Sequence, residues 1–122
     1  MRYAPCSHPT VVKASPDDPT PLRSTLARPA LADLVRDFAY ALPELAAAIA
    51  DRTCALDLER ARSLAHRLKG SAAGYGYPDI RDAAAAIEAS AAARDHEATA
   101  AAIAPLRALC ARARRAVEDV AA

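Results

Sequence analysis

At 122 residues the chain has room for one domain and a single hydrophobic core, not for a nucleotide-binding domain joined to a substrate domain. Hydrophobic residues make up 53%, but alanine supplies most of them and there is one Phe and no Trp, so helices can pack closely and a large aromatic-lined pocket is not expected. Sixteen basic side chains against fifteen acidic ones lack the excess of a general nucleic-acid binder, so no nucleic-acid partner is expected.

Six of the nine prolines fall within the first 29 residues, and periodic hydrophobicity starts only at Leu31. Residues 1–29 are therefore expected as a flexible Pro-rich tail, and residues 30–122 as the folded domain. Cys6 and His8 share that tail, and two ligands on a flexible segment make a poor metal site, so no metal is expected there. Cys6, Cys54 and Cys110 form an odd, widely spaced set without a C-x-x-C pair, which predicts reduced thiols rather than a disulfide framework or a zinc site. No apolar leader opens the chain and no segment is long and charge-free enough to cross a bilayer, so a cytoplasmic protein without a membrane partner is expected.

From Leu31 onward, Leu34, Val35, Phe38, Leu42, Leu45 and Ile49 recur at the spacing of one helix face, with Pro43 inside it predicting a kink or a restart. Asp57 is suited to cap a second helix running to about Tyr75, and Gly74 and Gly76 are suited to stop it. Pro78 then suits the first turn of a third helix, to about Arg94, with Ile80, Ala83, Ala84 and Ile87 inward and Arg81 and Glu88 outward. Asp95 can cap a fourth, whose seam is Ile103, Leu106, Cys110, Ala113, Val117 and Val120, interrupted by Pro105. Four amphipathic helices, short connections and no strand signal predict an all-α, antiparallel up-down four-helix bundle.

At about 100° per residue, Glu59, Arg62, His66, Lys69, Gly70 and Ala73 share one side of the second helix. Opposite them lie Ala61, Leu64, Leu68, Ala72 and Tyr75, so His66 is expected to face solvent from mid-helix. A merely exposed surface histidine would look the same; its company is what distinguishes it. Gly70 is unfavourable in a helix interior by roughly 1 kcal/mol relative to Ala, which calls for a reason, and access to the imidazole by another molecule is one. Arg60, Arg62, Arg67 and Lys69 are expected to give a local positive field that tolerates a dianionic group. A neutral imidazole, with an unperturbed pKa of about 6.5, is a competent nucleophile toward phosphorus and needs neither base nor metal of its own.

The stretch AHRLKGSAAGYG, Ala65 to Gly76, resembles the signature of histidine-containing phosphotransfer (HPt) domains, with Ala65, His66, Leu68, Lys69, Gly70, Ser71, Ala72 and Gly76 all matching. The resemblance extends through LADLVRDFAYALPEL, LDLERARSLAH and PDIRDAAAAIEASAAARD, covering about residues 22 to 122. It implies a bundle whose His66 is phosphorylated, with Lys69 as charge neighbour of the phosphoryl group and Gly70 permitting receiver approach. It further implies docking contacts at Arg62, Arg67 and Ala73. Ser71 is expected toward the packed side, bonding back to its own helix. The implied partners are response-regulator receiver domains and a hybrid sensor histidine kinase, with Mg²⁺ supplied by the receiver and no cofactor of the chain's own. A monomeric phosphocarrier without kinase activity is expected.

Four other readings compete with this one. A sensor-kinase dimerisation helix usually has an acid beside its histidine, whereas Arg67 follows His66 here. A phosphate-binding loop needs G-K-S after a strand, and LKGSAAG has neither. The phosphotransfer domain of a chemotaxis-type kinase shares the GYG ending, and a helical module that binds a receiver without accepting phosphate would share the fold.

Overall fold

The structure, a computed structural model, describes residues 20–26 and 28–121. A 3₁₀ turn, Pro29–Leu31, leads into α1 (Ala32–Cys54), followed by α2 (Leu58–Gly74), α3 (Pro78–Ala92) and α4 (His96–Ala121). Connections of three residues force consecutive helices to run antiparallel. α1 packs on α2 and α4, and α3 on α2 and α4, which closes the expected four-helix bundle.

All three connections are closed in the same way. Asp57 N–H donates to Arg52 O at 2.9 Å, Tyr77 to Ala72 O at 2.8 Å and Asp95 to Ser90 O at 3.0 Å, each across a residue of positive φ: Leu56 (62°), Gly76 (82°) and Arg94 (63°). The residue that ends one helix also starts the next. The Asp57 carboxylate accepts from Arg60 N–H at 3.1 Å and the Asp95 carboxylate from Ala98 N–H at 3.0 Å. Gly76 alone is the glycine that turns the chain, and Gly74 is the last residue of α2.

The core seam of α1 is rotated from the expected one. Val35, Ala39, Leu42, Ala46, Ile49 and Ala50 are buried, while Leu34 and Leu45 stand 51% and 40% exposed. The reason is alanine: Ala39 and Ala46, fully buried, let the helices approach closely, and a pattern read from large side chains alone misses them. Likewise α2 seals Ala61 and Ala65 and leaves Leu64 and Tyr75 only partly buried. α3 buries Ile80, Ala84 and Ile87, and α4 buries Ile103, Leu106, Cys110 and Ala113, as their spacing predicts. The side chain of Val120, last in that seam, lies outside the described residues. Neither Pro43 nor Pro105 restarts its helix. Buried Leu42 and Ala46 flank Pro43, so packing outweighs one lost backbone bond.

Contact with the bundle begins before residue 30. Leu22 is buried, Thr25 N–H donates to Gly76 O at 2.7 Å, and Ser24 Oγ donates to Tyr75 O at 2.6 Å. Residues 20–26 thus strap the α2–α3 turn. Residues 1–19 of the expected tail, with Cys6 and His8, lie outside the described residues. Cys110 is a buried free thiol whose pKa burial pushes up to about 12. The expectation of reduced thiols for Cys6 and Cys54 turns on residues outside the described ones. Among the described residues no helix is long and apolar enough to cross a membrane, and no group of His, Cys, Asp and Glu could hold a metal ion.

Candidate functional site

His66 stands at the middle of α2 with its side chain 63% exposed, because its neighbours Ala65 and Leu68 are committed to the core. Its Nδ1–H donates to Oε2 of Glu88 at 2.8 Å, and the ammonium of Lys69 donates to Oε1 of the same carboxylate at 2.7 Å. One carboxylate of α3 therefore holds both the imidazole and the cation one turn beyond it. The hydrogen bond from Lys69 draws the Glu88 carboxyl below the usual range, partial desolvation opposes it, and the bond from His66 adds to it. A neutral ring that donates from Nδ1 keeps its lone pair on Nε2, which has no hydrogen-bond partner among the described residues. That nitrogen is the ring atom left with a lone pair open to solvent.

Glu88 was expected to turn outward, and the structure instead turns it across to α2. It follows buried Ile87, is the one acid in AAAAIEAS, and lies near the level of residue 66 in the antiparallel register about Gly76. Those were the signals by which it could have been found.

Gly70 is exposed, and a Cβ built there would meet nothing within 4 Å. No neighbouring helix requires a glycine at this position. Next to the imidazole the surface is bare backbone.

The expected positive field is compensated at two of its four cations. Arg62 pairs with Glu59 at 2.7 Å, and the pair lowers the Glu59 pKa and raises that of Arg62, both through their shared hydrogen bond; Lys69 pairs with Glu88. Arg60 and Arg67 have no ion pair among the described residues. Arg67 lines a shallow groove of about 140 Å³ between α1 and α2, with Leu45, Ala48, Leu64, Leu68 and Ser71. Ser71 is exposed on this groove and makes no side-chain hydrogen bond among the described residues, so it does not face the packed side as expected. Ala73 is exposed one turn beyond Lys69. His66, Lys69, Gly70 and Arg67 thus form one surface, with Arg62 a turn toward the start of α2.

No curated protein and no solved structure matches this chain. The sequence model of the Hpt domain family matches residues 30–116, most of the chain and all four helices but the end of α4. With the exposed histidine, the adjacent cation and the bundle that presents them already in place, the match is decisive: the chain belongs to the Hpt domain family.

Proposed function

We propose that the chain is a phosphorelay carrier in which His66 takes a phosphoryl group from the aspartyl phosphate of one receiver domain and gives it to the aspartate of another. Family membership supports a phosphotransfer role. The observation that carries the finer reading is the orientation of one ring, with Nδ1–H held by Glu88 and Nε2 toward solvent.

In this reading Nε2 attacks phosphorus in line, the P–N bond forms as the P–O bond to the aspartate breaks, and the receiver's carboxylate leaves. The ring gains positive charge, which the Glu88 carboxylate at Nδ1 stabilises in both directions of transfer. Lys69, which shares the Glu88 carboxylate with the ring, would meet the phosphoryl oxygens, and a Mg²⁺ held by the receiver would supply further charge neutralisation. Gly70 leaves room for the incoming loop. The groove of Leu45, Ala48 and Leu64 gives the receiver an apolar footing beside the histidine, with Arg67, Arg62 and Ala73 around it. Hpt domains are carriers rather than kinases, so a hybrid sensor kinase is the expected source of phosphate. The chain would act as a monomer in the cytoplasm.

The test is incubation with a phosphorylated receiver and Mg²⁺. An acid-labile, base-stable label should appear on the chain and vanish in His66→Gln. If both forms bind the receiver and neither takes label, the chain is an interaction module instead.

A further inference from the structure

The end of the bundle away from the α1–α2 connection holds a feature that phosphoryl transfer does not use. The strap, the first turn of α1 and the last turns of α4 enclose an open cavity of about 440 Å³. Its walls are Leu22, Leu26, Val35, Tyr77, Ala116 and Val117, a volume and character usual for small-molecule sites.

Two further observations give this cavity a polarity. Arg23 and Arg28 line it without an ion pair among the described residues, and the third guanidinium, Arg36, pairs at 3.2 Å with Asp33, the one carboxylate in the lining. Tyr77 is 1% exposed, yet its hydroxyl has no hydrogen-bond partner among the described residues. Tyr77 lines the cavity, and among the described residues no buried side-chain oxygen is sealed off without a partner. A buried phenol ordinarily finds a partner.

We propose that this cavity binds a small amphiphilic acid, its anionic head taking hydrogen bonds from Arg23, Arg28 and the Tyr77 hydroxyl while its apolar body covers the aliphatic walls. Arg23 and Arg28 stand exposed at the rim of the cavity, where guanidinium is the group suited to a carboxylate or phosphate head and a cationic amphiphile would meet like charge. The site is separate from His66, so its fate in experiment is independent of the carrier reading.

The probe is decanoate, titrated into the full chain below its micelle concentration and followed calorimetrically, with decylammonium as the opposite charge and phosphatidylglycerol vesicles as the bilayer source of anionic heads. Saturable one-to-one binding of decanoate is expected, with none of decylammonium and none to vesicles. Arg23→Ser/Arg28→Ser should weaken decanoate by about tenfold or more, the loss of charge-assisted bonds. Tyr77→Phe should weaken it by about threefold or more while leaving the unliganded melting curve in place, since the hydroxyl has no bond within the protein to lose. Ala116→Leu, which fills the cavity, should remove binding. Equal binding of decylammonium, unchanged affinity in the double arginine variant or in Tyr77→Phe, binding to vesicles alone, or no saturable binding would each overturn the proposal.

Discussion

Gly70 and Gly76 mark two surfaces of this molecule that treat a missing side chain in opposite ways. At Gly70 the space is empty, and at Gly76 it is taken: a Cβ there would lie 2.7 Å from Ser24 Oγ and 2.8 Å from Leu26 N. The first glycine keeps a surface open beside a reactive ring, whereas the second lets the chain's own strap close over a helix end. A glycine therefore signals proximity of something, and only the surroundings say whether that something is part of the fold or comes from outside.

Substitution at Gly76 should break the second surface and give the largest stability effect. Gly76→Ala places a Cβ on a left-handed residue and against backbone that cannot swing away, so a loss of about 2–4 kcal/mol is expected by chemical denaturation. Phosphotransfer per folded molecule should be unchanged. If stability survives intact, the strap is not seated on this turn.

Gly70→Ala should do the reverse, gaining about 1 kcal/mol because an interior helix position in open space favours alanine. Gly70→Gln should slow transfer from a phosphorylated receiver by about tenfold or more, while labelling by the small donor phosphoramidate stays at the wild-type rate. Unchanged receiver transfer would mean that the bare patch is not an approach route.

The face around His66 differs from its surroundings by one carboxylate, and Glu88→Gln isolates it. The variant keeps a hydrogen-bond acceptor at Nδ1 but loses the charge, so transfer is expected to fall by about tenfold at neutral pH. The stability sign follows from the lowered Glu88 pKa. A depressed carboxyl contributes stability that is fully present above its ordinary value of 4.5 and is lost as pH falls through the lower folded value. Acid denaturation of Glu88→Gln should therefore show a shallower loss below that pH than wild type. An identical acid limb would mean that Lys69 and His66 do not hold the carboxylate in solution.

Much of this was legible in the sequence where a residue acts locally. Asp57 and Asp95 cap the helices their positions suggest, and His66 faces solvent from the side opposite Ala61, Leu68 and Ala72. What escaped depends on contacts between elements. Glu88 looks like one more outward acid until the register of α3 against α2 is known, and the cation field of α2 looks positive until its acids are placed in three dimensions. The strap escaped for a similar reason, since its anchoring bonds run from backbone and one small hydroxyl to carbonyls about fifty residues away. Ala61, Ala72, Ala84 and Ala113 were legible as inward residues, whereas Ala39, Ala46 and Ala65 escaped because alanine also occupies many exposed positions of these helices.

The smallest expected effect also separates the two parts of the Gly76 argument. Leu56 and Arg94 close their helices in the same backbone conformation as Gly76, and neither is glycine. Left-handed φ at an L-residue costs about 1 kcal/mol, offset in part by the greater freedom that glycine brings to the unfolded chain. Leu56 is 69% exposed and has little packing to lose. Leu56→Gly should therefore stabilise the protein by a few tenths to about 1 kcal/mol, and Arg94→Gly by somewhat less, because its charge favours Glu59. The gain at 56 measures the conformational part of a left-handed closure by itself. Subtracting it from the loss in Gly76→Ala leaves the part due to Ser24 and Leu26, so a loss at 76 no larger than the gain at 56 would reduce Gly76 to an ordinary turn residue.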